Sequence, residues 1–235
     1  MEKKEMLIKK YKEMKSQILA LFLMFSVTTV VFAQNNAVAD KAAYTKTITE
    51  RAAKIVNTLG INDSKKAEKV TNIIRDQYSN LNDIYTARDL EAKDIKEKNK
   101  DNKVLRDSAL AKQNRAVDAS LAKLHKKYIN KLADQLNNEQ VEGVKNGMTY
   151  GVLPLTYKAY QEEILTLTEE QKKQILVWLT EARERAMDAE SSDKKHAWFG
   201  KYKGRINNYL SAAGYDLKKE GIEWEKRRKA KAQGN

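Results

Sequence analysis

The densest concentration of chemically capable side chains lies between residues 196 and 215. There the string HAWFGKYKGRINNYLSAAGY gathers His196, Trp198, Phe199, Lys201, Tyr202, Lys203, Arg205, Asn207, Asn208, Tyr209 and Tyr215. Flat rings stack on the apolar face of a sugar, Lys and Arg pair with carboxylates, and Asn side chains both donate to and accept from hydroxyls. The candidate ligand-binding set is therefore His196, Trp198, Lys201, Tyr202, Arg205, Asn208 and Tyr209. Trp198 would be the stacking platform, and Lys201 and Arg205 the carboxylate partners. A plainer account competes for part of the segment. Phe199, Tyr202, Ile206, Tyr209, Leu210 and Ala213 fall at helical spacing and make an apolar face, which leaves His196, Trp198, Lys201 and Arg205 unexplained.

The same residues contain the ingredients of catalysis. A uronate lyase needs a cation to neutralise the sugar carboxylate and a base for the adjacent proton, and Arg205 or Lys201 with Tyr202, Tyr209 or His196 would supply those types. A glycoside hydrolase needs two carboxylates, and Asp188, Glu190 and Asp193 lie just upstream of His196. Carboxylates are frequent throughout the chain, so this proximity is not specific. The absence of Cys excludes thiolate catalysis, Cys-ligated zinc and iron–sulfur clusters. No Gly-x-Ser-x-Gly elbow, phosphate loop or His-Glu-x-x-His motif is present. With two His in all, a His-rich metal site is not expected, and no EF-hand loop is visible. We expect no metal and no cofactor, while the choice between enzyme and binding protein stays open.

The elements that must position these residues are helices. A single Pro, nine Gly and apolar residues recurring at three and four positions predict an all-α fold, with no strand alternation to compete. Ile48, Ala52, Ile55 and Leu59 mark a first helix stopped by Gly60, and Ala67, Val70, Ile74, Leu81 and Ile84 mark a second. Residues 91–107 are highly charged and poor in apolar residues, so they are either an exposed helical bridge or a mobile connection, of which the helical continuation is the preferred reading. Leu110, Val117, Leu121, Leu124, Tyr128 and Leu132 form the core stripe of a long third helix, beside which His125 is structural or exposed. Capping boxes are predicted at Asn137 with Gln140 and at Thr168 with Gln171, and Leu136 and Val141 have the spacing of a hydrophobic staple. Gly147 to Pro154 breaks the pattern. Tyr157, Tyr160 and Ile164 restart a short helix, and Ile175, Trp178, Leu179, Ala182 and Ala186 carry the next as core. The expected architecture is one multi-helix domain over residues 40–225, containing a long charged helix or a helical hairpin, followed by a basic tail over 226–235.

Residues 1–33 read as a secretory signal peptide. Six lysines precede the apolar run Ile18 to Phe32, which is short for a membrane span, and Val31-Phe32-Ala33 suits cleavage after Ala33. Residues 34–39 would be a linker, and the mature protein periplasmic or secreted, meeting the membrane only through this peptide before cleavage. The formal net charge is +13, and about +10 remains without the leader. Such a balance favours anionic partners outside the cell, an acidic oligosaccharide or polysaccharide above all; location argues against nucleic acid. A solubilising basic surface explains the charge equally well.

The strings GMTYGVLPLTYKAY (147–160) and LTEEQKKQILVWLTEARERAMDAESSDKKHAWFGKYKGRINNYLSAAGYD (167–216) resemble a family of uncharacterised secreted bacterial proteins grouped by a domain of unknown function. The likeness covers about residues 40–225. Members occur in polysaccharide-degrading Gram-negative bacteria, so the resemblance implies a periplasmic or surface role in polysaccharide utilisation, through carbohydrate binding or processing. It transfers no residue roles. Leu167-Thr168-Glu169-Glu170-Gln171, and in part Leu136 to Gln140, are also similar to the Leu-Thr-x-x-Gln signature of Spy-type periplasmic chaperones. That implies a client-binding cradle, for which this chain is long and its Trp- and Tyr-rich segment superfluous.

Overall fold

The structure is a computed structural model that describes residues 40–233. The leader and linker, residues 1–39, lie outside the described residues. The chain divides into two compact units, residues 1–48 and 49–235. Of the first, residues 40–48 are described and helical, with the Thr45 and Thr47 hydroxyls donating to the carbonyls of Lys41 and Ala43.

The second unit is helical throughout its described residues apart from turns. Its first helix, α1, occupies 49–56 and buries Ala52, Ile55 and Val56. Gly60 reverses the chain at φ +65°, and Asp63 caps α2 (Ser64–Lys98) by accepting from the Lys65 and Lys66 amides. Of the two expected forms, a long charged helix or a helical hairpin, the chain takes the second: α2 ends at Lys98, Asn102 accepts from the Leu105 amide, and α3 runs Lys103–Ala133. A capping side chain at the middle of a charged stretch closes a helical hairpin. Only its base is packed, with Val70, Ile74, Tyr78 and Leu81 of α2 and Tyr128 and Leu132 of α3 buried. Leu90, Val104 and Leu105 are exposed, because two helices alone cover one stripe each.

Both capping boxes form as the sequence predicts. Asn137 and Gln140 open α4 (Asn138–Met148), and Thr168 and Gln171 open α6 (Glu169–Met187). Leu136 and Val141 are buried at the α4 entry. The break predicted over Gly147 to Pro154 contracts to Thr149–Gly151. Gly147 is still in α4, where a Cβ would stand 2.8 Å from Ile55 Cγ2, so α1 crosses closely there. Pro154 sits in the first turn of α5 (Val152–Glu163), where the orphan amides tolerate it. Tyr150 and Gly151 both take left-handed backbone.

Helix α7 (Ser192–Ala212) packs along α6, and α8 (Leu217–Gln233) lies against α5 and α7. The main core joins Leu153, Tyr160, Ile164 and Leu167 to Ile175, Leu179, Ala182 and Ala186 of α6 and Phe199, Ile206 and Leu210 of α7. Of the face read from α7, these last three residues are buried, Tyr202 and Tyr209 are half-buried, and Ala213 lies exposed at the helix end. Trp178 is half-buried at the core edge instead of within it. The α3 stripe departs furthest from expectation: Leu110, Val117, Leu121 and Leu124 are half-buried. The helix face is there, but nothing closes over it. No described helix is long and apolar enough to cross a membrane.

Candidate functional site

That uncovered stripe forms one wall of a cleft of ≈ 800 Å³. Tyr85 and Arg88 of α2 and Asn114, Val117, Asp118, Leu121, Ala122 and His125 of α3 face Thr180, Glu181, Glu184, Arg185 and Asp188 of α6 and Trp198 and Tyr202 of α7. The size is that of a small-molecule site. Nine of its fifteen lining side chains are polar or charged, with Val117, Leu121, Ala122 and the rings of Tyr85, Trp198 and Tyr202 between them.

A polar latch joins the walls. His125 Nδ1 lies 2.7 Å from Asp188 Oδ2, and its Nε2 3.3 Å from Glu184 Oε2. Hydrogen bonds donated by its two ring nitrogens to the Asp188 and Glu184 carboxylates, opposed by partial burial, raise the imidazole from 6.5 to about 9, so it is a cation at neutral pH. Burial acts to raise Glu184, but His125, Lys145 and Arg183 outweigh it and bring the carboxyl down to about 2. Arg183 is almost wholly buried, held by Asn146 at 2.9 Å and by Glu142 at 2.7 Å. On the hairpin side, the Tyr85 hydroxyl donates to the Asp188 carbonyl at 2.6 Å, and burial with the Glu190 and Asp188 charges pushes it up to about 12. Arg88 stands over the Tyr85 ring and pairs with Glu190. Behind α6, Lys195 donates to the carbonyls of Ala186 and Met187, both at 2.9 Å, satisfying the end of that helix; burial lowers its ammonium to about 8.

The seven residues singled out in the sequence are placed in three settings. Trp198 and Tyr202 line the cleft, half-buried, with Lys201 Nζ 5.2 Å from the Trp198 ring. Burial and a hydrogen bond to Glu181 raise the Tyr202 hydroxyl. Arg205 and Tyr209 instead surround Trp178: the guanidinium stands 5.0 Å from its ring and Tyr209 meets it edge-on at 5.2 Å. His196 stacks on Tyr150, with ring centroids 5.5 Å apart, and Asn208 is exposed. Helical geometry explains part of the division: Trp198, Tyr202, Arg205 and Tyr209 recur at three- and four-residue spacing on one face of α7 and differ in height along it, whereas His196 and Asn208 point away from that face.

Chemically, the cleft offers aromatic faces at Trp198, Tyr202 and Tyr85, hydrogen-bonding groups at Asn114, Thr180, Asp118 and Glu181, and one cation, Arg185, with no carboxylate partner among the described residues. Of the upstream acids, Asp188 is engaged by His125 and Glu190 by Arg88, while Asp193 lies in the first turn of α7. No group of three or more His, Cys, Asp or Glu among the described residues is placed to hold a metal ion. Sequence reasoning missed Tyr85, Arg88, Asn114, Asp118 and His125. For Asn114, Asp118 and His125 the signal is the polar character of residues interleaved with the α3 stripe; Tyr85 and Arg88 lie on α2, where no local pattern marks them.

Comparison with curated proteins gives no match. Residues 45–230, most of the chain, match the family described as "Protein of unknown function (DUF3826)". The chain belongs to the DUF3826 family.

Proposed function

We propose that the cleft between the α2–α3 hairpin and the α6–α7 pair recognises a saccharide, and that the protein is a non-catalytic glycan-binding component of polysaccharide utilisation acting outside the cytoplasm. The observation that carries this reading is the position of Trp198 and Tyr202 on one wall, facing Asn114 and Asp118 across ≈ 800 Å³. An aromatic platform opposite amide and carboxylate groups matches the two faces of a sugar ring, one made of C–H groups and one edged with hydroxyls. Arg185 is available for a sugar carboxylate. The lysine-rich leader with its short apolar run supports export.

One route to turnover, general-acid catalysis by the floor carboxylates, is disfavoured. Glu184, held at about 2, cannot donate a proton at neutral pH, and Asp188 is occupied by His125 and Gln77. The test is titration of the protein with a panel of neutral and acidic oligosaccharides, with Trp198→Ala and Asp118→Asn alongside and product analysis on the same samples. Binding of one glycan that weakens about tenfold or more in each variant, with unchanged helicity, is expected. Equal binding by Trp198→Ala would sink the proposal. Accumulating unsaturated or reducing-end products would replace it with the enzyme reading.

A further inference from the structure

Helix α8 buries no residue, yet its cations are not all alike. Lys226 pairs with Glu223 at 2.7 Å and Lys229 with Glu225 at 2.8 Å. Arg228 and Lys231 have no carboxylate partner among the described residues. Both line a groove of ≈ 490 Å³ with Arg227, Trp224, Leu165 and Glu162. Arg227 is fixed there, its Nη2 donating to the carbonyls of Glu162 and Glu163 at 2.9 Å each, which answers the carbonyl end of α5. Arg228 stands 5.1 Å from the Trp224 ring. Leu165 remains two-thirds exposed between these charges.

Trp224 also bounds a second groove, of ≈ 470 Å³, lined by Thr156, Tyr160, Glu163, Lys203 and Asn207. The Tyr160 hydroxyl donates to Asn207 Oδ1 at 2.7 Å, which orients the Asn207 amide and leaves its N–H groups for another acceptor. One indole therefore separates a basic groove from a hydrogen-bonding one. The α3–α6 cleft differs in degree: there Arg88 and His125 are already paired to acids and Arg185 alone has no carboxylate partner among the described residues.

We propose that the two grooves flanking Trp224 form a second binding site, for an acidic saccharide. Its carboxylate would meet Arg228 and Lys231, its apolar ring face Trp224, and its hydroxyls Asn207 and Thr156. The polyanionic occupant follows from charge complementarity, and a sugar from the amide and hydroxyl groups on the far side of the indole, which a bilayer surface would not need. The site is independent of the α3–α6 cleft.

The experiment uses the full chain in gels and titrations containing polygalacturonate, dextran or anionic phosphatidylglycerol vesicles at fixed salt. Polygalacturonate binding is expected without dextran binding. Trp224→Ala and the double variant Arg228→Gln/Lys231→Gln should each weaken it about tenfold or more. In a Trp198→Ala background, which removes any contribution of the cleft, Trp224→Ala should still weaken the binding that remains, and this separates the two sites. The variant Lys218→Gln/Lys219→Gln removes the same charge from α8 at positions lining neither groove, and should retain binding. No polygalacturonate binding, equal loss in the two double variants, or a preference for vesicles abolished by Trp224→Ala would each overturn the proposal. Because α8 contributes no buried residue, these variants should keep wild-type helicity, and circular dichroism checks that they do.

Discussion

Replacing His125 with Gln removes the cation that stands between Glu184 and Asp188 while keeping a hydrogen-bonding side chain. The imidazole's rise from 6.5 to about 9 corresponds to roughly 3 kcal/mol of stabilisation at about 1.4 kcal/mol per unit. Solvent in the open cleft screens this to about 2 kcal/mol. The sign follows from the folded value lying above the unfolded one. The contribution is complete below pH 6.5, falls through the interval between 6.5 and about 9, and is gone above it. Glu184 sets the acid side: its folded value of about 2 lies below the ordinary 4.5, so its share is complete above 4.5 and is lost as pH falls toward 2. The latch is strongest between those limits, near pH 5 to 6.

Urea unfolding of wild type and His125→Gln at pH 6, 8 and 9.5 tests this. The expected difference is about 2 kcal/mol at pH 6, less than half of that at pH 8, and near zero at pH 9.5. At pH 6 it corresponds to a lowering of Tm by about 4 to 8 °C. Lys195 titrates in the opposite sense, since burial has lowered it to about 8 and its penalty disappears as pH rises toward 10.5. It is present in both proteins, so it cancels in the difference. A difference that is the same at pH 6 and 9.5 would refute the charge argument and leave His125 as packing alone.

Other outcomes follow from single contacts. Arg183→Ala removes the partner of Asn146 and Glu142 from an almost fully buried position and should cost about 3 kcal/mol or more in chemical denaturation. Thr168→Ala breaks a formed capping box and should lose about 1 kcal/mol, whereas Thr168→Asn should restore most of it. Gly147→Ala would gain about 1 kcal/mol from helix propensity alone, but the new Cβ meets Ile55, so a net loss of about 1 to 2 kcal/mol is expected. A measured gain would mean that α1 yields.

The parts of this fold that were legible in the sequence are those decided within one or two turns. The capping boxes at Asn137 and Thr168 needed only residues three positions apart, and the burial of Phe199, Ile206 and Leu210 needed only their spacing. Residues 91–107 left a continuous helix and a hairpin undecided because Asn102 is one polar residue among many, and its capping hydrogen bond is visible only once the chain turns. The α3 stripe shows the deeper limit. Periodicity identifies a face on a helix, but whether that face is core or cleft depends on how closely another layer approaches. Val117 and Leu121 satisfy the pattern of core residues and line an open cleft.

His125 belongs to the same problem. Its sequence neighbours, Lys126 and Lys127, suggest a solvated face, while its partner Asp188 lies 63 residues away. One local signal did exist. Glu184 in the last turn of α6 and Asp188 at its C-cap are four apart, so two carboxylates lie about one turn above each other on a single face, an arrangement that costs an isolated helix about 0.2 to 0.5 kcal/mol. A helix that retains such a pair on a half-buried surface requires a cation opposite, and the cation must come from another element. The sequence offers many Lys and Arg for that place, but a bridging group that lets one carboxylate meet each end is what His provides through its two ring nitrogens. The spacing on α6 thus specifies the kind of residue needed, and only the packing of α3 against it determines which one answers.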